Sequence, residues 1–282
     1  MIARPGGAAV LAEVGAGLRG PHVPRILDEK PAVSWFELLT DNHLAEGGAL
    51  RFQAEAIAER YPVTLHGVGM SLGGADALDT DYLRKVKGLA DRTGAALVSE
   101  HLAFTCHAGW HVHELLPIPW TEEYLRHVSE RVRVAQDRLG RQILIENISA
   151  YFEFESSSLS ETQFLEALCE ETGCGMLLDV NNIFVNAANH GFDALDYLRH
   201  VPWRHVGEIH LAGHSRKGDL LVDTHAGPVS QEVLELYLQT QVYAADVPVL
   251  IEWDNDLPEW PVLLREVRQI EALRVSAARK IA

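Results

Sequence analysis

Residues 175–182 read G-M-L-L-D-V-N-N, a short apolar run that ends on an acid and then turns polar. A run this short, bounded by glycine on one side and asparagine on the other, suits a buried strand better than a helix. The same figure recurs along the chain as EVGAGLRG (13–20), SWFELL (34–39), VTLHGVG (63–69), AALVSEHLAF (95–104), QILIENIS (142–149), VGEIHLAG (206–213) and VPVLIEW (247–253). Between these runs lie segments such as TDYLRKVKGLADRTG (80–94) and TEEYLRHVSERVRVAQDRLG (121–140). Their apolar residues recur at three and four, the mark of a helix with one buried face.

Strands alternating with helices imply parallel strands joined by crossovers. Eight such units in 282 residues predict an α/β fold, a (β/α)8 TIM-type barrel that takes up residues 1–282 as a single domain. The competing arrangement is a doubly wound open sheet, but no GxGxxG or GxxxxGK[ST] follows the first strand.

Composition narrows the function classes. The formal net charge is −16, which argues against binding a phosphate backbone. No apolar run is long enough for a membrane helix, and MIARPGGAAVLAEVGAGLRG (1–20) lacks the apolar core of a signal peptide, so a cytoplasmic protein is expected. Cys106, Cys169 and Cys174 form neither a disulfide framework nor a metal-binding pair. Fourteen histidines are present, and histidine serves as metal ligand or as acid and base near neutral pH.

In a barrel of this kind the chemistry sits at the C-terminal ends of the strands. Those ends carry His66, then Glu100 and His101, Glu146 with Asn147, Asp179 with Asn181 and Asn182, His210, and Glu252. Asp223 and His225, in LLVDTHAGPV (220–229), lie two apart in the loop after the seventh strand, where an extended chain would turn both the same way. One imidazole or carboxylate at a strand end is ordinarily a structural hydrogen-bonding group. Four or more carboxylates sharing one rim need protons or cations to neutralise them, and a metal cluster accounts for the whole set at once. Imidazole and carboxylate without thiolate suit iron, manganese or zinc. Composition does not choose between redox-active iron and Lewis-acid zinc.

The ordered set LHGVGMS, SEHLAF, LIENIS, LLDVNNIFV, EIHLAGH, DTHAGPV and LIEWD resembles the multinuclear non-heme iron oxidases, a family that includes the methanobactin-biosynthesis oxidase and relatives that modify cysteines of ribosomally made peptides. The likeness runs from the first strand to LIEWD, and the motifs are specific as an ordered set. It implies a xylose-isomerase-like TIM barrel and two or three irons in a mixed Fe(II)/Fe(III) state, with O2 as cosubstrate. One iron would bind the substrate cysteine as thiolate, and O2 at a neighbour would drive hydrogen abstraction from the cysteine β-carbon. A cysteine-containing precursor peptide and a small leader-peptide-binding partner protein are implied as partners, with no role for nucleic acid or membrane.

The same superfamily contains the endonuclease IV type of repair enzyme, whose three-metal pattern maps onto this chain. One metal would take His66, His101 and Glu146; a second would share Glu146 and add Asp179, His210 and Glu252. A third would take Asp223, His225 and Asn182. The endonucleases carry histidine where Asn182 stands. An amide oxygen suits a labile iron better than a zinc, so the oxidase is favoured. Glu146, Asp179, Asn182 and Asp223 are expected to bear most directly on catalysis, and Asn147 and Asn181 to orient ligands. The alternatives are a phosphodiesterase acting at abasic DNA, a metal-storing scaffold, and a sugar isomerase, which lacks a recognisable substrate-binding lysine.

Other polar residues are assigned smaller roles. CHAGWHVHELLPIPW (106–120), with His107, His111 and His113, reads as a loop over the barrel mouth, with Trp110 suited to covering the substrate. Glu37, Asp41 and Asn42 fall near the end of the second strand, as pocket lining or as partners of ligands. His43, His190 and His214 are expected on the surface or behind ligands. Large loops after strands four and six are expected to set substrate choice.

Overall fold

The computed structural model describes residue 11 and residues 13–281. Its strands are β1 (Val14–Leu18), β2 (Phe36–Leu39), β3 (Val63–Gly67), β4 (Val98–His101), β5 (Phe104–His107), β6 (Trp110–Leu116), β7 (Leu144–Glu146), β8 (Gly175–Asp179), β9 (Val206–Ala212), β10 (Ser215–Lys217), β11 (Leu220–Val222) and β12 (Val249–Glu252). The helices are α1 (Val23–Glu29), α2 (Ala49–Ala58), α3 (Thr80–Thr93), α4 (Glu122–Leu139), α5 (Glu161–Thr172), α6 (Val180–His190), α7 (Ala194–His200), α8 (Gln231–Ala244) and α9 (Trp260–Ile281).

Eight strands close into a parallel barrel in the order β1-β12-β9-β8-β7-β4-β3-β2. Closure is direct: β1 pairs in parallel with both β2 and β12, which excludes the open sheet. All eight expected strands are present. The fourth is shorter than the run AALVSEHLAF suggests, because the chain leaves the barrel after His101 and re-enters extended structure only at Phe104, in the separate antiparallel hairpin β5–β6. A second hairpin, β10–β11, follows β9.

Local chemistry fixes the helix ends. Asp79, Thr121 and Ser160 each accept a hydrogen bond from the first turn of α3, α4 and α5, and Ser160 with Gln163 forms a reciprocal capping box. Gly94, Gly140, Gly173 and Gly191 close α3, α4, α5 and α6 in the left-handed conformation that glycine adopts without steric cost.

Strand alternation sorts the barrel interior into layers. Trp35, Leu144, Leu177 and Leu250 share the inward face of their strands with Glu37, Glu146, Asp179 and Glu252, and all four are buried. They plug the N-terminal half. Gly15 is required there, since a Cβ at that position would lie 2.4 Å from the Trp35 ring. The opposite strand faces, including Phe36, Leu38, Ile145 and Leu178, pack under the helices. Among the described residues no helix is long and apolar enough to cross a membrane.

Candidate metal centre

The apolar plug leaves the C-terminal end of the barrel to polar groups. His66 from β3, His101 from β4 and Glu146 from β7 meet in a triangle: His66 Nε2 lies 3.2 Å from Glu146 Oε2 and 3.3 Å from His101 Nε2, and His101 Nε2 lies 3.1 Å from the same oxygen. Donor atoms about 2.1 Å from one ion are roughly 3.0–3.5 Å apart, so these separations match a coordination shell. The outer ring nitrogens are tied down. His66 Nδ1 is 2.8 Å from Ser99 Oγ, whose own hydroxyl donates to the Leu65 carbonyl, and His101 Nδ1 faces the Gly67 carbonyl at 2.9 Å. Both contacts hold a proton on Nδ1, so in the neutral rings that a cation requires Nε2 is the lone pair aimed inward.

Asp179 is both the last residue of β8 and the cap of α6. Its Oδ1 accepts the Asn182 N–H at 2.6 Å, and its Oδ2 has no partner. On the far side, His210 Nδ1 lies 3.1 Å from Glu252 Oε2, and His225 Nδ1 approaches the same oxygen at 3.4 Å. His225 Nε2 is 2.7 Å from Asp223 Oδ1. The pair is adjacent, as expected, but not because the segment is a strand: β11 ends at Val222 and His225 has φ 45°. Tertiary contacts hold it instead. Asp223 accepts from Asn181 Nδ2 (2.8 Å) and Ser149 Oγ (3.2 Å), and its N–H donates to Tyr151 Oη (3.0 Å).

Among the described residues, five groups of three ligand atoms lie close enough to share an ion: His66–His101–Glu146, Glu146–Asp179–His210, His66–His210–Glu252, Asp179–His225–Glu252 and Glu37–Glu208–His210. Buried polar atoms without hydrogen-bond partners gather here: Glu146 Oε2, Asp179 Oδ2, Asn182 Oδ1, His210 Nε2, His225 Nε2 and both Glu208 oxygens. A protein interior ordinarily satisfies such groups, so the orphans fit a bound cation. Electrostatics agrees. Burial lifts the Glu146 carboxyl to about 8 and Asp179 to about 7, against the pull of nearby imidazoles. Burial and the neighbouring His101 hold His66 well below the usual histidine range. Burial also disfavours a charged His101, but Glu146 and Glu100 outweigh it and push it up to about 10.

Of the residues read from sequence, His66, His101, Glu146, Asp179, His210, Asp223, His225 and Glu252 all converge. Asn182 sits at their edge, its Nδ2 donating to the Asn147 carbonyl and its Oδ1 unpartnered. Asn147 ties Asp179 through both its N–H and its carbonyl, and Asn181 bridges Asp223 to His214. Glu100 does not join. Alternation turns it to the other face of β4, where it accepts the N–H groups of Met70 and His101. Asp41 lines the pocket and accepts from the Val68 N–H and Tyr82 Oη, while Glu37 reaches His210 Nε2 at 3.3 Å. His43 and His190 face backbone carbonyls away from the cluster.

Two contributors escaped the reading of the sequence. Glu208, fully buried, has Oε1 3.6 Å from His210 Nε2; its signal was present, since E-I-H puts both on one strand face. Arg19 pairs with Glu252 (3.2 Å) and with Asp254, which also holds His225 Nδ1 at 3.0 Å. Nothing local to Arg19 announces that contact across 233 residues.

The mouth opens into a cavity of about 540 Å³ bounded by Asp41, Ser149, Tyr151 and Asp223 and by His111–Leu115 of β6. The segment expected as a covering loop is therefore a hairpin wall. Trp110 does not line it: at the hairpin turn it is 82% exposed. The expectation of a large loop after the sixth strand is corrected as well. Asp179 ends β8 and caps α6 at once, leaving no room for a loop; the long excursion follows the seventh strand, β9.

Residues 13–275 match the model of the RiPP precursor modification enzyme family MbnB/TglH/ChrH. The chain belongs to this family. It is 48% identical over 257 residues to a UPF0276 protein of Acaryochloris marina, covering 91% of this chain and 93% of that one. It is 45% identical over 267 residues to a UPF0276 protein of Caulobacter vibrioides, covering 94% and 95%. Among solved structures, endonuclease IV of Thermus thermophilus superposes with TM-score 0.61 at 18% identity, over 93% of this chain and 98% of that one. An L-ribulose 3-epimerase superposes with TM-score 0.63 at 14% identity, over 96% and 97%. These last two likenesses establish the barrel fold alone.

Proposed function

We propose that this member of the RiPP precursor modification family is a multinuclear iron-dependent oxidase that uses O2 to modify cysteine residues of a ribosomally synthesised peptide. The observation that carries the reading is the set of unpartnered buried nitrogen and oxygen atoms converging beneath a cavity. The donors fit the metal: imidazole and carboxylate with no thiolate leave room for the thiolate to come from the substrate. His66, His101 and Glu146 would hold one ion; Glu146, Asp179, His210 and Glu252 a second; Asp223, His225 and Asn182 a third.

Bound iron would supply acidification of the substrate thiol and electrons for O2. The chain supplies the rest. Gly67 and Ser99 fix the tautomers of His101 and His66, so both present Nε2. Ser149 and Asn181 restrain Asp223 at the cavity edge. Glu146 and Asp179 must release their protons as cations enter. Tyr151 and β6 wall the approach, where an extended peptide would displace water. A small leader-binding partner protein would deliver the precursor.

The test is elemental analysis and Mössbauer spectroscopy of protein purified without oxygen, followed by incubation with a cognate cysteine-containing precursor and O2. Two to three irons per chain and an O2-dependent change in peptide mass are expected. Stoichiometric zinc without iron, with cleavage of abasic DNA, would replace the oxidase by the phosphodiesterase.

A further inference from the structure

The two strands of the hairpin at the mouth are tied differently. β5 is fastened to the barrel: the Thr105 and Cys106 N–H groups both donate to Ser71 Oγ, at 2.9 and 3.2 Å, and the buried Arg131 donates to the Ser71 carbonyl at 2.9 Å. β6 is left open. Its register to β5 passes from Cys106↔His111 directly to Phe104↔Leu116, so Val112, His113, Glu114 and Leu115 stand opposite Thr105 alone. Thr105 has already given its N–H to Ser71. Among the described residues, no backbone group outside the hairpin bonds to residues 111–115. A strand that turns only one face to a cavity lends it alternate residues. β6 lends the cavity residues 111–115 in succession, and residues 110–114 are all exposed, so its edge as well as a face borders the space. The second hairpin differs. The Asn189 side chain closes β11, donating to the Leu221 carbonyl and accepting the Leu221 N–H, each at 2.9 Å, and β10 does not border the cavity.

We infer that the edge of β6 at residues 112–115 is the docking strand for the peptide: the cysteine-bearing segment binds extended, as an added strand, and runs toward Leu116. An open edge presents N–H and C=O groups at a repeat of about 3.3 Å per residue, and an extended backbone is the ligand that matches it. The direction follows from where the hairpin rises. The Leu102 N–H, next after His101, donates to the Glu146 carbonyl at 3.1 Å, and Phe104 then pairs with Leu116. A strand laid along β6 toward Leu116 therefore leads its cysteine to the His101–Glu146 side of the mouth. Because Ser71 and Arg131 anchor β5, the edge is held in place before the peptide arrives, which lowers the ordering cost of binding.

The inference rests on the reading of the substrate as a peptide, and not on iron or O2. Its test uses the full chain loaded with zinc, which is redox-inert, and the cognate cysteine-containing precursor synthesised as a series with one backbone N-methyl group at each residue flanking the cysteine. Affinity read by fluorescence anisotropy should fall about three- to tenfold at alternate residues and change little between them, since alternate N–H groups of an added strand face its neighbour. Hydrogen exchange should slow at amides within residues 111–115 and not in β10–β11. Losses without alternation, or protection of β10–β11 in place of β6, would overturn the docking strand and leave the peptide as substrate. A precursor modified by the iron-loaded protein that gives no protection in β6 would do the same. A precursor that neither binds nor is modified would overturn the docking strand and the oxidase reading together.

Discussion

Asp179 gives one carboxylate oxygen to the backbone N–H of Asn182, at 2.6 Å, and keeps the other unpartnered inside the barrel mouth. One side chain thus starts a helix and faces the cluster. The two duties separate by mutation. Asp179→Asn retains an oxygen able to cap α6, so its melting temperature in the metal-free form should stay close to that of the parent while metal affinity drops. Asp179→Ala loses both, with a stability cost of about 0.5–2 kcal/mol from the cap. Thermal melts and metal titrations on the two variants check this; equal metal affinity in Asp179→Asn and parent would remove Asp179 from the ligand set.

Glu146 touches both His66 and His101 and also belongs with Asp179 and His210, so it stands between two ion positions. Glu146→Ala is expected to be the most damaging single change, lowering bound metal by more than one ion per chain and abolishing activity. Metal content by elemental analysis decides it, and a variant with full occupancy and activity would refute the assignment.

The pH dependence of the metal-free protein has a definite sign. Glu146 at about 8, and Asp179 and Glu37 at about 7, all lie above their values in an unfolded chain. Their contribution to stability is complete below about pH 4, where both states are protonated, and is lost as pH rises through 7 to 8. Glu252 shifts the opposite way, held well down by His225 and His210 against its burial, and its contribution is constant above the ordinary carboxylate range. The melting temperature without metal should therefore fall between pH 5 and pH 8, while metal affinity rises and binding releases protons. Melts across that range with and without zinc test both halves; a metal-free melting temperature that climbs with pH would contradict the account.

Chelation should destabilise the loaded protein. Any ion bound to the folded state alone stabilises it by about 4 kcal/mol at a thousandfold excess over its dissociation constant. Adding a strong chelator should lower the melting temperature by several degrees, and re-adding the ion should restore it. A melt insensitive to chelator in a protein shown to have lost its metal would mean that the cluster contributes nothing to folding.

The plug beneath the cluster makes a prediction independent of metal. Trp35 fills the barrel against Gly15, and Trp35→Ala should cost about 3–5 kcal/mol in denaturant unfolding. Gly15→Ala should also destabilise, by collision with that ring, and a combined change to Trp35→Phe with Gly15→Ala should recover part of the loss. No recovery in the pair would show that the two positions do not share the same space.

The amino-acid sequence by itself determined the barrel and most of the mouth. Apolar runs that end on His, Asp or Glu mark strand ends, and in a parallel barrel those ends share one rim, so His66, Glu146, Asp179, His210 and Glu252 could be placed before any coordinates. Alternation also carries the relation between Glu208 and His210, because residues two apart in a strand face one way. Only the tertiary structure decided which of two adjacent residues faces inward. It turned Glu100 away from the cluster while keeping His101, because the period of a strand fixes relative faces and closure fixes which face is the interior. It also decided which side chains from distant strands meet at one height: Glu37 beneath His210, and Arg19 beside Glu252 and Asp254. Those meetings depend on the stagger of the closed barrel, a property of all eight strands together that no single stretch of sequence contains.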